Sequence, residues 1–179
     1  MWSQEQTIAA WNFSTESHNG QLLPGSELPY INHIASVTME VMSAIVQQPN
    51  LEKPNLSIQC ALLHDTLEDT PVTYDELLRR FGEEVSNGVL ALTKNKQLPT
   101  KAEQMADSLT RIKEQPHEIW IVKLADRITN LQAPPSHWNK KKIRAYREEA
   151  ITILDALGSS HNALAKRLEK KIEDYQAHC

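Results

Sequence analysis

Cysteine is nearly absent. The two present, Cys60 in an apolar run and Cys179 at the end, do not make a disulfide framework. That scarcity fits a reduced, intracellular compartment. Glycine is scarce as well, five in 179 residues, which excludes a collagenous or low-complexity chain. Nor is there a basic excess: 19 Lys and Arg stand against 23 Asp and Glu, for a net charge of −4. A nucleic-acid coat normally shows a strong positive balance, so no nucleic-acid partner is expected. An anionic substrate would have to be met by a local basic patch or a metal. No apolar run approaches the ~20 residues that cross a bilayer, so no membrane partner is expected either. The first ten residues lack the basic patch and apolar stretch of a signal peptide. The expectation is a soluble cytoplasmic chain.

What the chain does have is 40% hydrophobic residues at a length that can bury a core without disulfides or a structural metal. A single domain spanning residues 1–179 is expected, because no linker or internal repeat divides it. The periodicity is helical nearly throughout, and no alternating β-branched run reads as a strand. Ser3 to Gln6 reads as a capping box opening a helix with Ile8, Trp11 and Phe13. Gly20, Pro24, Gly25 and Pro29 then mark a loop. Helical spacing resumes from His33 to Gln48 through Ile34, Val37, Val41 and Ile45, and again from Ser57 to Thr70, where Pro71 stops it. Capping boxes at Thr73–Glu76 and Thr100–Glu103 open two more helices. Others follow Pro116, run from Asn139 to Leu157, and begin at Ser160. The fold class predicted is all-α, a compact multi-helix bundle with no significant sheet.

The densest chemistry is His64-Asp65-Thr66-Leu67-Glu68-Asp69, four ionisable groups in six residues. On a continuous helix His64 stacks on Glu68 and Asp65 on Asp69, so all four share one broad face. An ordinary solvated face would carry such a cluster without further meaning. Here the preceding run, Ile58 to Leu63, is almost wholly apolar and implies a buried helix. Three acids at the end of a buried helix repel one another and lose hydration, which is costly without a cation. His33, at the start of an apolar helix, and Asp126, at the end of Ile121–Ala125, are the further candidates. Two imidazoles and two carboxylates form a nitrogen/oxygen set suited to Mn, Fe, Zn or Mg rather than to thiophilic metals.

A distant His, an adjacent His-Asp pair and a distant Asp resemble the pattern of the HD-domain metal-dependent phosphohydrolases. Leu28-Pro29-Tyr30-Ile31-Asn32-His33, Ala61-Leu62-Leu63-His64-Asp65-Thr66-Leu67-Glu68-Asp69-Thr70 and Val122-Lys123-Leu124-Ala125-Asp126-Arg127-Ile128-Thr129-Asn130-Leu131 are similar to the hydrolase domain of the RelA/SpoT proteins. The likeness runs from about Phe13 to Leu157, and a chain that stops there resembles the stand-alone small alarmone hydrolases. The resemblance implies a helical HD fold, one Mn²⁺ per chain, and removal of the 3′-pyrophosphate from a nucleotide such as (p)ppGpp. By motif match, His33, His64, Asp65 and Asp126 would be the metal ligands, and Glu68 and Asp69 the pair that activates water. Asn130, Lys96, Lys142 and Tyr146 match positions that contact the nucleotide, a small-molecule substrate. The run Lys140 to Arg144 reads equally well as a solvated helix start. The oligomeric state is not readable.

One segment departs from the family. Many members acting on guanosine alarmones carry Arg and Lys after a Gly-Gln pair, where Gly20-Gln21-Leu22-Leu23-Pro24-Gly25 has Leu23 and Pro24. Losing a cation over the base weakens guanine recognition and makes the adenosine counterpart, (p)ppApp, a candidate. His18 reads as structural, and the tryptophans at 2, 11, 120 and 138 as packing. Two other readings stay open: a different HD-type nucleotide or dinucleotide phosphohydrolase, and a non-catalytic nucleotide-binding regulator.

Overall fold

Apolar residues repeating at helical spacing fold into nine α-helices in a computed structural model that describes residues 2–179. They are α1 (Gln4–Ser17), α2 (Ile31–Gln47), α3 (Pro54–Leu63), α4 (Thr66–Asp69), α5 (Tyr74–Leu92), α6 (Lys101–Lys113), α7 (His117–Asn130), α8 (Lys140–Leu157) and α9 (Asn162–Tyr175). Among the described residues there is no sheet, only an isolated bridge between Leu22 and Pro29. The all-α expectation holds. None of these helices is long and apolar enough to cross a membrane.

The architecture is organised by α2, α3 and α7, which pack mutually. Helix α3 is buried continuously from Leu56 to Leu63. A helix that is apolar all round belongs at the centre, and α1, α5, α2 and α7 all lie against it. Ile34, Ile58, Leu62, Leu63, Ile121, Leu124 and Ile128 are fully buried on these three helices. Burying each such side chain contributes about 1.5–3 kcal/mol, so the junction of the three is held firmly. Helices α8 and α9 close over α7 from the other side, burying Ile153, Leu157, Leu164 and Leu168.

Helix boundaries follow local chemistry. Thr100 and Glu103 form a reciprocal capping box, while Ser3 and Thr73 accept only the backbone N–H three residues on. Asn139 caps α8 through Lys142 N. Two expectations on helix bounds are corrected. The stretch from Ser57 to Thr70 is not one helix: it breaks at His64 and Asp65, where Asp65 sits at φ −100°, ψ 0°. Helix α1 buries Ala10, Phe13 and Ser14 and leaves Ile8 and Trp11 43% and 38% exposed. The last helix starts at Asn162, not Ser160, with His161 as its cap; Gly158–Ser160 is a 3₁₀ turn. Within α5, Gly82 at φ 81°, ψ 173° interrupts the helix, a conformation that only glycine adopts readily.

Candidate metal and nucleotide site

Each helix of the central trio contributes one polar group where it emerges from the core. His33 lies in the first turn of α2, His64 just past the end of α3, and Asp126 in the last turns of α7. All three are buried, and one donor atom from each lies within 4.8 Å of the others. The two Nε2 atoms are 3.3 Å apart. Asp126 Oδ1 is 3.5 Å from that of His33 and 3.9 Å from that of His64. Asp65 joins them through Oδ2, at 2.9 Å from His64 Nε2 and 3.6 Å from His33 Nε2. The helix break at residues 64–65 is what lets two consecutive side chains face one point.

His64 also shows how the cluster is oriented. Its Nδ1–H donates to Ala61 O at 2.8 Å, which turns Nε2 toward the others. Donors each about 2.1 Å from a single ion stand about 3–4 Å apart, so this set fits a divalent cation. Without a metal, only protons on the imidazoles separate the two carboxylates in this buried space.

The surrounding groups tune this charge. Burial alone would raise the Asp126 pKa, but Lys123, paired at 3.0 Å to Oδ2, and then His33 hold it far below the usual carboxylate range. Asp65 is likewise held low against its burial, by the charge of His64 and by His33. For His33 burial works downward, yet hydrogen bonds to Asp126 and Asp65 raise it to about 9. Tyr30 donates to Asp65 Oδ2 at 2.6 Å.

Two cavities meet here. The smaller, about 140 Å³, is lined by Tyr30, His64, Asp65, Glu68, Asp69, Lys94, Lys123 and Asp126 among others. Glu68 Oε2 accepts from Lys94 N at 3.1 Å, which fixes the carboxylate in the wall. Asp69 has its pKa raised by burial and by the neighbouring charges of Asp65 and Glu68. The larger cavity, about 530 Å³, is walled mainly by apolar and aromatic side chains, including Leu23, Pro24, Trp138, Tyr146 and Tyr175. Asn130 borders both and donates to Asp126 Oδ1.

Of the residues predicted as substrate contacts, Asn130 and Tyr146 line the larger cavity. Lys142 and Lys96 do not. Lys142, exposed, places Nζ 4.1 Å over the ring of Trp138, a residue of that wall. Lys96 reaches Glu68 O at 2.8 Å and lies 3.8 Å from Asp69, at the edge of the carboxylate cluster. Sequence reasoning gave no role to Tyr30, Lys123, Arg127 or Trp138. Arg127 is buried, stacked 4.4 Å from the Tyr146 ring and paired with Glu149. Trp138, read as packing, meets Tyr146 edge-on in the cavity wall. Lys123 left one signal, a lysine inside an otherwise apolar run three residues before Asp126.

Comparison with known proteins follows this geometry. The family described as HD domain matches residues 10–160. The guanosine-3′,5′-bis(diphosphate) 3′-pyrophosphohydrolase MESH1 of Danio rerio is 34% identical, covering 89% of this chain and 88% of that protein. The human protein of the same name is 30% identical over 92% of this chain and 91% of its own. A guanosine-3′,5′-bis(diphosphate) 3′-pyrophosphohydrolase of Aquifex aeolicus is 31% identical over 96% of this chain but only 23% of its own length. A solved structure of a metazoan ortholog of SpoT, one that hydrolyses ppGpp, superposes with a TM-score of 0.82 over 97% of both chains at 22% identity. At that identity the likeness concerns the fold.

Proposed function

This chain belongs to the HD-domain family, and from that premise we propose that it is a Mn²⁺-dependent 3′-pyrophosphohydrolase of purine nucleotide alarmones. Relatives that cover nearly its whole length are named as 3′-pyrophosphohydrolases of guanosine-3′,5′-bis(diphosphate), ppGpp. The single observation that carries the reading is the His33–His64–Asp126 group standing between two cavities, a small charged one lined by His64 and Asp126 and a larger aromatic one that His33 borders. The first has the size and charge for a metal and a pyrophosphate. The second falls in the range of cavities that enclose a small organic ligand, and its aromatic walls suit a purine.

In this reading His33, His64, Asp65 and Asp126 hold the ion, whose oxygen- and nitrogen-rich donor set accommodates Mn²⁺. When bound, the ion supplies Lewis acidity toward phosphate oxygens and acidifies water. Glu68 accepts the proton of the attacking water as general base. Asp69, with its raised pKa, sits beside it as a proton acceptor or relay. Lys94 and Lys123 offset the charge of the pyrophosphate in a cavity otherwise rich in carboxylates. Asn130 holds the ligand aspartate and the nucleotide at the junction of the two spaces. Tyr146, backed by Arg127, and Trp138 pack against the nucleoside.

Leu23 and Pro24 in the wall of the larger cavity favour a substrate range that includes the adenosine alarmone, since neither can place a cation over guanine. The test is purified protein with Mn²⁺, offered ppGpp and ppApp in parallel, with pyrophosphate separated from orthophosphate. Pyrophosphate release is expected from both. Orthophosphate as the sole product would point instead to a simple phosphatase of the same fold.

A further inference from the structure

We infer that the outer sides of α1 and α2 form a face through which two copies of this chain pair. Helix α2 carries two apolar stripes. Ile34, Val37, Val41 and Ile45 are buried in the core. Met39, Met42 and Val46 repeat at the same helical spacing on the outer side, with Met39 61% and Val46 70% exposed. One stripe is enough to anchor a surface helix, and the second is left uncovered among the described residues. Helix α1 adds the exposed Ile8 and Trp11. The two helices flank a groove of about 270 Å³ over Leu62 of α3. None of the groove's side chains lines either cavity of the hydrolytic site, so pairing and turnover are separable.

Charge, shape and size favour a second copy as the occupant. A twofold contact sets a patch against its own image, so any net charge on it meets like charge. No charged residue lines this groove. Glu40, next to Met39 in sequence, is neutralised by Arg167, whose Nε donates to its two oxygens at 2.9 and 2.7 Å. Met39 lines the groove and still stands out from its rim, which puts a knob beside a hole on one face. Two copies related by a twofold axis can then each seat Met39 in the other's groove, and a flexible thioether adapts to such a space. Helices of 14 and 17 residues, each about 10 Å across, make a face about 20 Å on a side. A stable pair buries about 800 Å² per partner, roughly 28 Å on a side, so the two helices supply the apolar centre and their polar neighbours the rim.

Sedimentation equilibrium of the full chain between about 1 and 100 µM tests this. The mass is expected to rise with concentration toward twice the 20.3 kDa of one chain and to stop there. The mass of one chain throughout overturns the inference and leaves the groove to a segment of another protein. Growth beyond two copies overturns the twofold pairing. Met39→Glu and Ile8→Glu each bring a carboxylate into the contact from both copies and are expected to weaken association at least tenfold. Both side chains are exposed, so the helical circular dichroism of the variants is expected to match that of the parent chain. Leu90→Glu replaces an apolar residue of α5 that is 45% exposed, away from this face, and is expected to leave pairing unchanged. Pairing that survives both substitutions on the face, or that Leu90→Glu weakens as much, overturns the assignment to α1 and α2.

Discussion

Tyr30 and Asp65, 35 residues apart in sequence, share a hydrogen bond of 2.6 Å at the entrance to α2. Burial, and then the charge of Asp65, push the Tyr30 pKa far up, so the phenol stays a donor at any working pH. One oxygen of Asp65 is thereby aimed where the two imidazoles converge. Partners that orient metal ligands typically govern affinity by 10–100-fold. Tyr30→Phe is expected to weaken Mn²⁺ binding by about that factor, with activity recovering when metal is added in excess. Titration of activity against free Mn²⁺ checks it; an unchanged midpoint would leave Tyr30 with packing alone.

Glu68 should separate chemistry from binding. Glu68→Gln keeps the acceptor for Lys94 N and removes the base. Metal content and KM are expected to stay near wild type while kcat falls by about 10²–10⁴-fold. A fall of less than about tenfold, with metal still bound, would move proton transfer to another group.

Base selectivity follows from the wall at Leu23 and Pro24. A stacked guanidinium contributes about 0.5–2 kcal/mol, so its absence removes a substantial part of any guanine preference. The adenosine alarmone is expected to be turned over at least comparably to the guanosine one. A kcat/KM ratio of a hundredfold or more in favour of ppGpp would sink this, and Leu23→Arg should move the ratio toward guanine.

Metal binding should release protons. In the metal-free chain the His33 pKa is raised to about 9, burial being outweighed by its bonds to Asp126 and Asp65. The imidazole must lose its proton to ligate, so apparent Mn²⁺ affinity rises with pH up to about 9 and levels off above. The stability of the metal-free fold runs the other way. The contribution of protonated His33 is complete below its unfolded pKa of about 6.5 and is lost as pH rises through about 9. Calorimetry in buffers of different ionisation enthalpy reads the proton release; equal affinities at roughly pH 7 and 8.5 would contradict it.

Gly82 supplies a test of stability away from the site. At φ 81°, ψ 173° its backbone lies where other residues are strained, and a Cβ there would meet nothing within 4 Å. Gly82→Ala is therefore expected to destabilise by about 1–3 kcal/mol through the backbone alone. Urea unfolding measures this, and a loss below about 0.5 kcal/mol would show that α5 straightens without cost.

Much of this arrangement was legible because it rests on local rules. Proline at the starts of helices, caps at Thr100 and Asn139, and the buried run before His64 all act over a few residues. His33, His64 and Asp126 stand out in the sequence because a polar residue at either end of an apolar run is costly and so conspicuous. The rest depends on contacts between distant segments. Nothing near Tyr30 announces a partner 35 residues on, and Trp138 looks like packing until α8 brings Tyr146 against it. The break at Asp65 replaced the helical turn that periodicity predicted, because the period continues in sequence even where the backbone does not. Nor does the spacing tell which face α1 buries: it is Ala10, Phe13 and Ser14, with Phe13 edge-on to Phe81 of α5, rather than Ile8 and Trp11.

The Gly20–Pro29 loop is held mainly by backbone bonds, such as Leu23 N to Leu28 O and Tyr30 N to Gln21 O, around an isolated bridge, with Leu28 N donating to Ser26 Oγ besides. Its side chains form part of the larger cavity's wall but none of the His33–His64–Asp126 cluster. Side chains can therefore be exchanged along it without unpicking the buried junction of α2, α3 and α7. A lineage carrying this scaffold can change its diet of nucleotides one loop residue at a time while its hydrolytic engine stays as it is.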